Sequence, residues 1–222
     1  MKRISPRALA RGKLLELYHC ETESLGRKPN GNEFFPVDLN KLLRLLLPEW
    51  QMIEREDLLQ VDVYHPLLGK VDFTKKKIYV NAGDPLQRYT VAHELGHVFL
   101  EHGGCQLKRD FGPRSILRPD QLRPSDANVI SREREANAFA AELLMPERAV
   151  QREFRDRFEV DRLWIKSPQA HLILHTIYEA AADAATQLAT SRYPGNSRSL
   201  ADFFGVSSSA MRIRLLELSL VH

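Results

Sequence analysis

The sequence predicts an α+β fold in which a small β-sheet lies beside a buried helix and a wholly helical region follows. Three observations lead there. Apolar residues recur at helical spacing before residue 50 and again after residue 130. Residues 50–81 change to short runs rich in β-branched and aromatic side chains. Between these lies one apolar helical segment carrying histidines and glutamates that a core would not otherwise tolerate.

Taken in order, Leu9, Leu14, Leu17 and Tyr18 make an amphipathic helix from Pro6 to about Glu23, with the proline at a first helical position. Gly26 to Gly31 is turn-rich, and Asp38 caps a second helix that runs through Leu47 and stops at Pro48. Trp50, Met52 and Ile53, then Val61, Val63 and Tyr64, then Val71, Phe73 and Ile78 to Val80 give three or four strands. Gly69 to Asn81 reads as a hairpin with Thr74 to Lys77 at its tip, its lysines suiting an exposed edge that an extended peptide can join. Asp84 and Pro85 cap a helix from Leu86 to Glu101, which Gly103-Gly104 ends. Residues 103–130 form a long loop or flap. Ser131 caps an apolar helix ending at Pro146, and a further helix spans Glu147 to Phe158. Ser167-Pro168 opens another helix to Thr190, Pro194-Gly195-Asn196 turns the chain, and two short helices complete it. The expected domains are residues 1–158 and 159–222.

Composition bounds the function. The chain has 222 residues, 43% hydrophobic and 27% charged, an ordinary globular mixture. Its 32 basic and 29 acidic side chains leave a net charge of +3, without the lopsided excess of a dedicated nucleic-acid binder. Cys20 and Cys105 are far apart, which argues against a disulfide framework and for a reducing, cytoplasmic setting. No apolar run has signal-peptide or membrane-spanning character.

The segment His93-Glu94-Leu95-Gly96-His97 carries the chemistry. Residues four apart share a helix face, so His93 and His97 can offer two imidazole nitrogens to one zinc ion. Glu94 is turned about a quarter of the helix away, where it can act as general base. Zinc lowers the pKa of the water it binds to about 7, and a carboxylate that takes a proton and later returns it to a leaving amine suits amide hydrolysis. Five residues of this kind arise by chance in about one such chain in fifty, so context must add weight. Val91, Ala92, Leu95, Val98 and Phe99 supply it, because an apolar setting penalises polar side chains that lack a metal.

A catalytic zinc needs a third protein ligand. Glu135, at the head of Glu-Ala-Asn-Ala-Phe-Ala-Ala-Glu-Leu-Leu-Met-Pro (135–146), is the best candidate. Glu133 and Glu142 compete: Glu133 lies nearer the loop, and Glu142, on much the same face as Glu135, can instead orient a ligating histidine. Glu101 lies a further turn from His97, and His102 requires a sharp bend to reach the metal. Leu100 and Gly103 stand where the longer HExxHxxGxxH form has glycine and histidine, which excludes that subclass. Tyr79, Tyr89 and His102 are candidate transition-state helpers.

Arg88 to His97, preceded by the Gly69–Asn81 hairpin and followed by Glu135 to Pro146, resembles the ImmA/IrrE family of metallopeptidases over roughly residues 40–150. The resemblance implies a zincin-like domain, His93, His97 and Glu135 as zinc ligands, and Glu94 as catalytic base. It further implies a regulatory protease whose substrate is a helix-turn-helix transcriptional repressor, cut to derepress stress-response or mobile-element genes. The interval between His97 and Glu135 is longer than the family pattern.

In the tail, residues 199–218 suit a helix-turn-helix-like unit, with Gly205 in the turn and Ser207 as cap. Arg212 and Arg214 can reach phosphates, but Ser208, Ser209 and Ala210 read bases poorly, so packing or substrate docking is favoured over DNA binding. A non-catalytic, metal-binding regulator is the opposing class. His171 and His175 repeat the four-residue spacing without an adjoining glutamate and read as a structural or solvent-facing pair.

Overall fold

A computed structural model describes residues 4–55, 69–82, 87–103, 127–176, 178–192 and 197–222. The chain divides into two compact units, Met1–Lys28 with Asp38–Leu143, and Pro29–Val37 with Leu144–His222.

The first unit begins with α1 (Pro6–Leu25). The Ser5 hydroxyl accepts from the Ala8 N–H, and Gly26 closes the helix at φ 65°, a left-handed conformation costly for a side chain with Cβ. Ala10, Leu14 and Leu17 form its buried stripe. Helix α3 (Leu39–Leu46) has the expected cap, Asp38 Oδ1 accepting from the Lys41 N–H at 2.9 Å. Between these two in the sequence lies α2 (Gly31–Phe34), which belongs to the second unit and follows the turn-rich stretch without having been expected. An Asn30–Glu33 capping box starts it.

Strands β1 (Gln51–Arg55), β2 (Gly69–Asp72) and β3 (Lys77–Asn81) form a sheet in the order β1-β3-β2. The hairpin is present, with β2 antiparallel to β3 and Gly69 opposite Val80. Its turn occupies residues 73–76, Asp72 Oδ1 accepting from the Lys75 N–H. β1 runs parallel to β3, placing β3 in the centre, where Ile78 and Val80 are fully buried. The strand expected around Val61 to Tyr64 lies outside the described residues, as do the Asp84-Pro85 cap and most of the expected flap.

Helix α4 (Gln87–Phe99) packs on β2 and β3. It ends earlier than expected. Glu101 adopts φ 54° and the His102 N–H returns to the His97 carbonyl at 3.0 Å, the i to i−5 bond of a Schellman closure. Helix α5 (Ala127–Leu144) begins before Ser131, so that residue is helical and not its cap.

The second unit contains α6 (Glu147–Phe158), α7 (Pro168–Leu174), α8 (Ala181–Thr190), α9 (Leu200–Phe204) and α10 (Ser208–Glu217). Two helices replace the single one expected from 168 to 190, because His175 takes the left-handed conformation at φ 54° and its N–H closes α7 on the His171 carbonyl. The Pro194-Gly195-Asn196 turn lies outside the described residues. The helix-turn-helix-like unit forms as expected, with Gly205 at φ 62° and the Ser207 hydroxyl accepting from the Ala210 N–H. Although the sequence boundary was drawn at residue 158, α6 groups with this second unit. The Arg157 guanidinium donates to the Arg198 carbonyl and lies 5.6 Å over the Phe203 ring. Phe35 joins the same core through Phe203 and Phe204, at ring separations of 5.7 and 5.1 Å.

Candidate metal centre

His93 and His97 sit one turn apart on α4, their Nε2 atoms 3.0 Å from each other. The third donor is Glu133 on α5: Oε2 lies 3.1 Å from His93 Nε2, and Oε1 lies 3.4 Å from His97 Nε2. Among the described residues His93, His97 and Glu133 converge, whereas Glu135, the residue expected as third ligand, does not join them. Glu135 Oε2 instead meets His102 Nε2 at 3.1 Å. This difference in placement follows from the start of α5. Reading Ser131 as the cap left Glu133 beside a loop, whereas a helix beginning at Ala127 holds Glu133 well inside regular structure. Two residues apart, Glu133 and Glu135 point about 200° from each other, so only one can face the histidine pair.

The hydrogen bonds behind the histidines test whether a cation fits. Asn137 Oδ1 lies 2.9 Å from His93 Nδ1, so the proton of a neutral His93 ring resides on Nδ1 when that amide oxygen accepts it. Nε2 then presents a lone pair. The three donor pairs are separated by 3.0, 3.1 and 3.4 Å. A tetrahedral ion with ligands at 2.0–2.1 Å requires donor separations of about 3.3 Å. Imidazole lone pairs and an anionic carboxylate repel at this distance unless a cation lies among them, so donor type and spacing both fit a divalent metal.

Glu94 lies on the same helix and is 1% exposed. A Cβ placed on Gly69 would fall 2.7 Å from Glu94 Oε1 and 2.7 Å from Thr90 Cγ2. The start of β2 therefore reaches the Glu94 carboxylate because residue 69 has no side chain. Gly96 has a matching role on the other side of α4. A Cβ there would come within 3.1 Å of the Cα and carbonyl oxygen of Ala136, so glycine allows α5, and with it Glu133, to approach.

Glu142 is buried and pairs with Arg11 at 3.1 Å, tying α5 to α1. Tyr89 Oη lies 3.5 Å from the Asn137 carbonyl and side-chain oxygens, on the His93 side of the centre. Tyr79 alternates with Ile78 and Val80, so it lies on the face of β3 away from α4. His171 and His175 are both exposed, and Cys105 lies outside the described residues. Arg214 is corrected as a phosphate contact. It is 1% exposed, with Nε donating to the Met145 carbonyl and Nη1 to Glu217 Oε2, both at 3.0 Å. Asn137 was missed by sequence, although its i+4 relation to Glu133 was available as a signal. The place of His102 behind His97 depends on the reversal at Glu101, which no local residue pattern marks.

Residues 52–216, most of the chain, match the IrrE N-terminal-like domain, a peptidase family. No curated protein matches the sequence. Among matching solved structures is a Mycobacterium tuberculosis transcriptional regulator, 16% identical over 96% of this chain and 52% of its own, with a TM-score of 0.46. The chain thus spans about half of that protein's length. No helix among the described residues is long and apolar enough to cross a membrane.

Proposed function

This chain belongs to the IrrE N-terminal-like domain family, and from that premise we propose that it is a zinc-dependent endopeptidase acting on a helix-turn-helix transcriptional repressor. The carrying observation is the convergence of His93 Nε2, His97 Nε2 and the Glu133 carboxylate beside buried Glu94. Three protein donors among the described residues match a catalytic zinc site, which leaves a position open, better than a closed structural site with four. When bound, zinc supplies Lewis-acid polarisation of a carbonyl and a water made acidic enough to attack near neutral pH.

Glu94 receives the proton of the attacking water and passes it to the departing amine nitrogen, as amide cleavage requires. Gly69 brings the β2 backbone against this carboxylate. Strand β2 is paired on one side by β3, and among the described residues no strand covers its other side. An extended segment of the substrate adds to that edge through main-chain hydrogen bonds, which carries its scissile carbonyl past Glu94. The repressor assignment rests on the family resemblance, as does the cytoplasmic regulatory role. A non-catalytic regulator would need no buried carboxylate at the position of Glu94.

The test incubates the purified chain with a candidate repressor from the same genome, with and without a chelator, alongside Glu94→Gln. Cleavage should vanish with chelator and fall by about 10²–10⁴ in the variant, which still binds metal. Cleavage that persists under both conditions refutes the mechanism.

A further inference from the structure

We propose that Glu135 and His102 form a positioning relay that fixes the ring of His97 with its Nε2 lone pair directed into the metal centre. The inference rests on the metal-centre reading above. It assigns Glu135 a role other than the ligand role its sequence position suggests.

The relay follows from three side chains in succession. Glu135 Oε2 lies 3.1 Å from His102 Nε2, and a carboxylate can only accept, so that nitrogen carries the proton. A neutral His102 ring then has a lone pair on Nδ1. That atom lies 2.9 Å from His97 Nδ1, so His97 donates through Nδ1. With its proton held there, the Nε2 of His97 is free of hydrogen where it meets His93 and Glu133. The opposite arrangement puts a proton on His97 Nε2, between the ring and any cation. A carboxylate behind a ligating histidine is a common means of fixing tautomer and orientation. Here a second imidazole is interposed between them.

The fold supports this at both ends. The Schellman closure returns the His102 backbone N–H to the His97 carbonyl, so the two residues are joined by main chain as well as side chain. The His97 and His102 side chains are each 3% exposed, so water does not readily replace either partner. Glu135 is one-fifth exposed, and Ser131 Oγ, one turn earlier, approaches its other oxygen at 3.5 Å. His93 has its own partner in Asn137, and the two ligating rings are thus oriented by separate groups.

The test uses the full chain stripped of metal, with Zn2+ affinity read by competition against a chromophoric chelator. Glu135→Ala and His102→Leu should each weaken binding by about 10- to 100-fold. His102→Asn should restore most of it, because its side-chain oxygen can accept where Nδ1 did. In the His102→Asn background, Glu135→Ala should cause no further loss. A second readout needs no metal: ¹⁵N shifts of the His97 ring should show Nδ1–H in the parent and a shift toward Nε2–H in Glu135→Ala, with melting of the metal-free proteins confirming the fold. An equal loss from Glu135→Ala in the His102→Asn background overturns the relay, as does an Nε2–H ring in the metal-free parent. If the parent binds Zn2+ and Glu133→Ala abolishes it while Glu135→Ala does nothing, the relay alone fails. If the parent binds no Zn2+, the metal-centre reading fails with it.

Discussion

Replacing Gly96 by alanine isolates the contact that sets the distance between α4 and α5, the two helices that carry the His93, His97 and Glu133 cluster. The new Cβ would lie 3.1 Å from the Ala136 Cα and carbonyl oxygen, and 3.3 Å from Phe139 Cβ, where ordinary contact begins at 3.4 Å. Two of these three atoms are backbone, so relief requires α5 to withdraw by about 0.3 Å. Alanine also improves the helix propensity of α4 by about 1 kcal/mol, while overpacking costs about 1–3 kcal/mol. The net loss is about 0–2 kcal/mol, or a fall in Tm of up to about 8 °C. The effect on metal should be clearer than the effect on stability. Glu133 travels with α5, whereas the histidines stay on α4, so the 3.1 and 3.4 Å donor separations lengthen and Zn2+ affinity should fall several-fold. Thermal melting of the metal-free protein and chelator competition measure the two effects separately. A variant that melts higher by the full propensity gain and binds Zn2+ like the parent refutes the proposed helix contact.

Other perturbations probe the surroundings. Gly69→Ala should retain metal yet reduce cleavage by at least about tenfold, because its Cβ would displace the Glu94 carboxylate from 2.7 Å; unchanged turnover on the same substrate refutes that contact. Arg214→Met keeps much of the buried volume but removes the donor to the Met145 carbonyl, so urea unfolding should show a loss of about 1–3 kcal/mol. Unchanged stability with weaker, salt-dependent DNA binding would instead place Arg214 at a phosphate. Ser199→Ala removes an N-cap and should cost about 1 kcal/mol at neutral pH. The Ser199 side-chain and backbone hydrogen bonds hold the Asp202 carboxyl below its ordinary range. That contribution is present above the unfolded pKa and disappears as pH falls through the lower folded value. The variant should therefore cost less at strongly acid pH and show a raised Asp202 titration midpoint by NMR; equal cost throughout and an unchanged midpoint count against it.

Much of the centre was legible in the sequence because its information is local. HELGH fixes two nitrogens on one helix face with a carboxylate beside them, and helical geometry alone sets that arrangement. The hairpin, the Asp38 and Ser207 caps and the Gly205 turn are likewise written in neighbouring residues. Glu133 and Glu135 could not be separated in the same way, since the choice depends on where α5 begins and how it rotates against α4. The His175 break was equally obscure, as no glycine or proline marks it.

By itself the sequence placed two imidazoles and a carboxylate together, because their arrangement depends on spacing within a single helix. Tertiary structure decided which carboxylate joins the two imidazoles. Gly96 and Ala136 bring two helices close enough for Glu133 to reach both histidines, and the reversal at Glu101 folds His102 back between His97 and Glu135. Those outcomes depend on the phase and closeness of elements separated along the chain, which no local pattern of residues specifies.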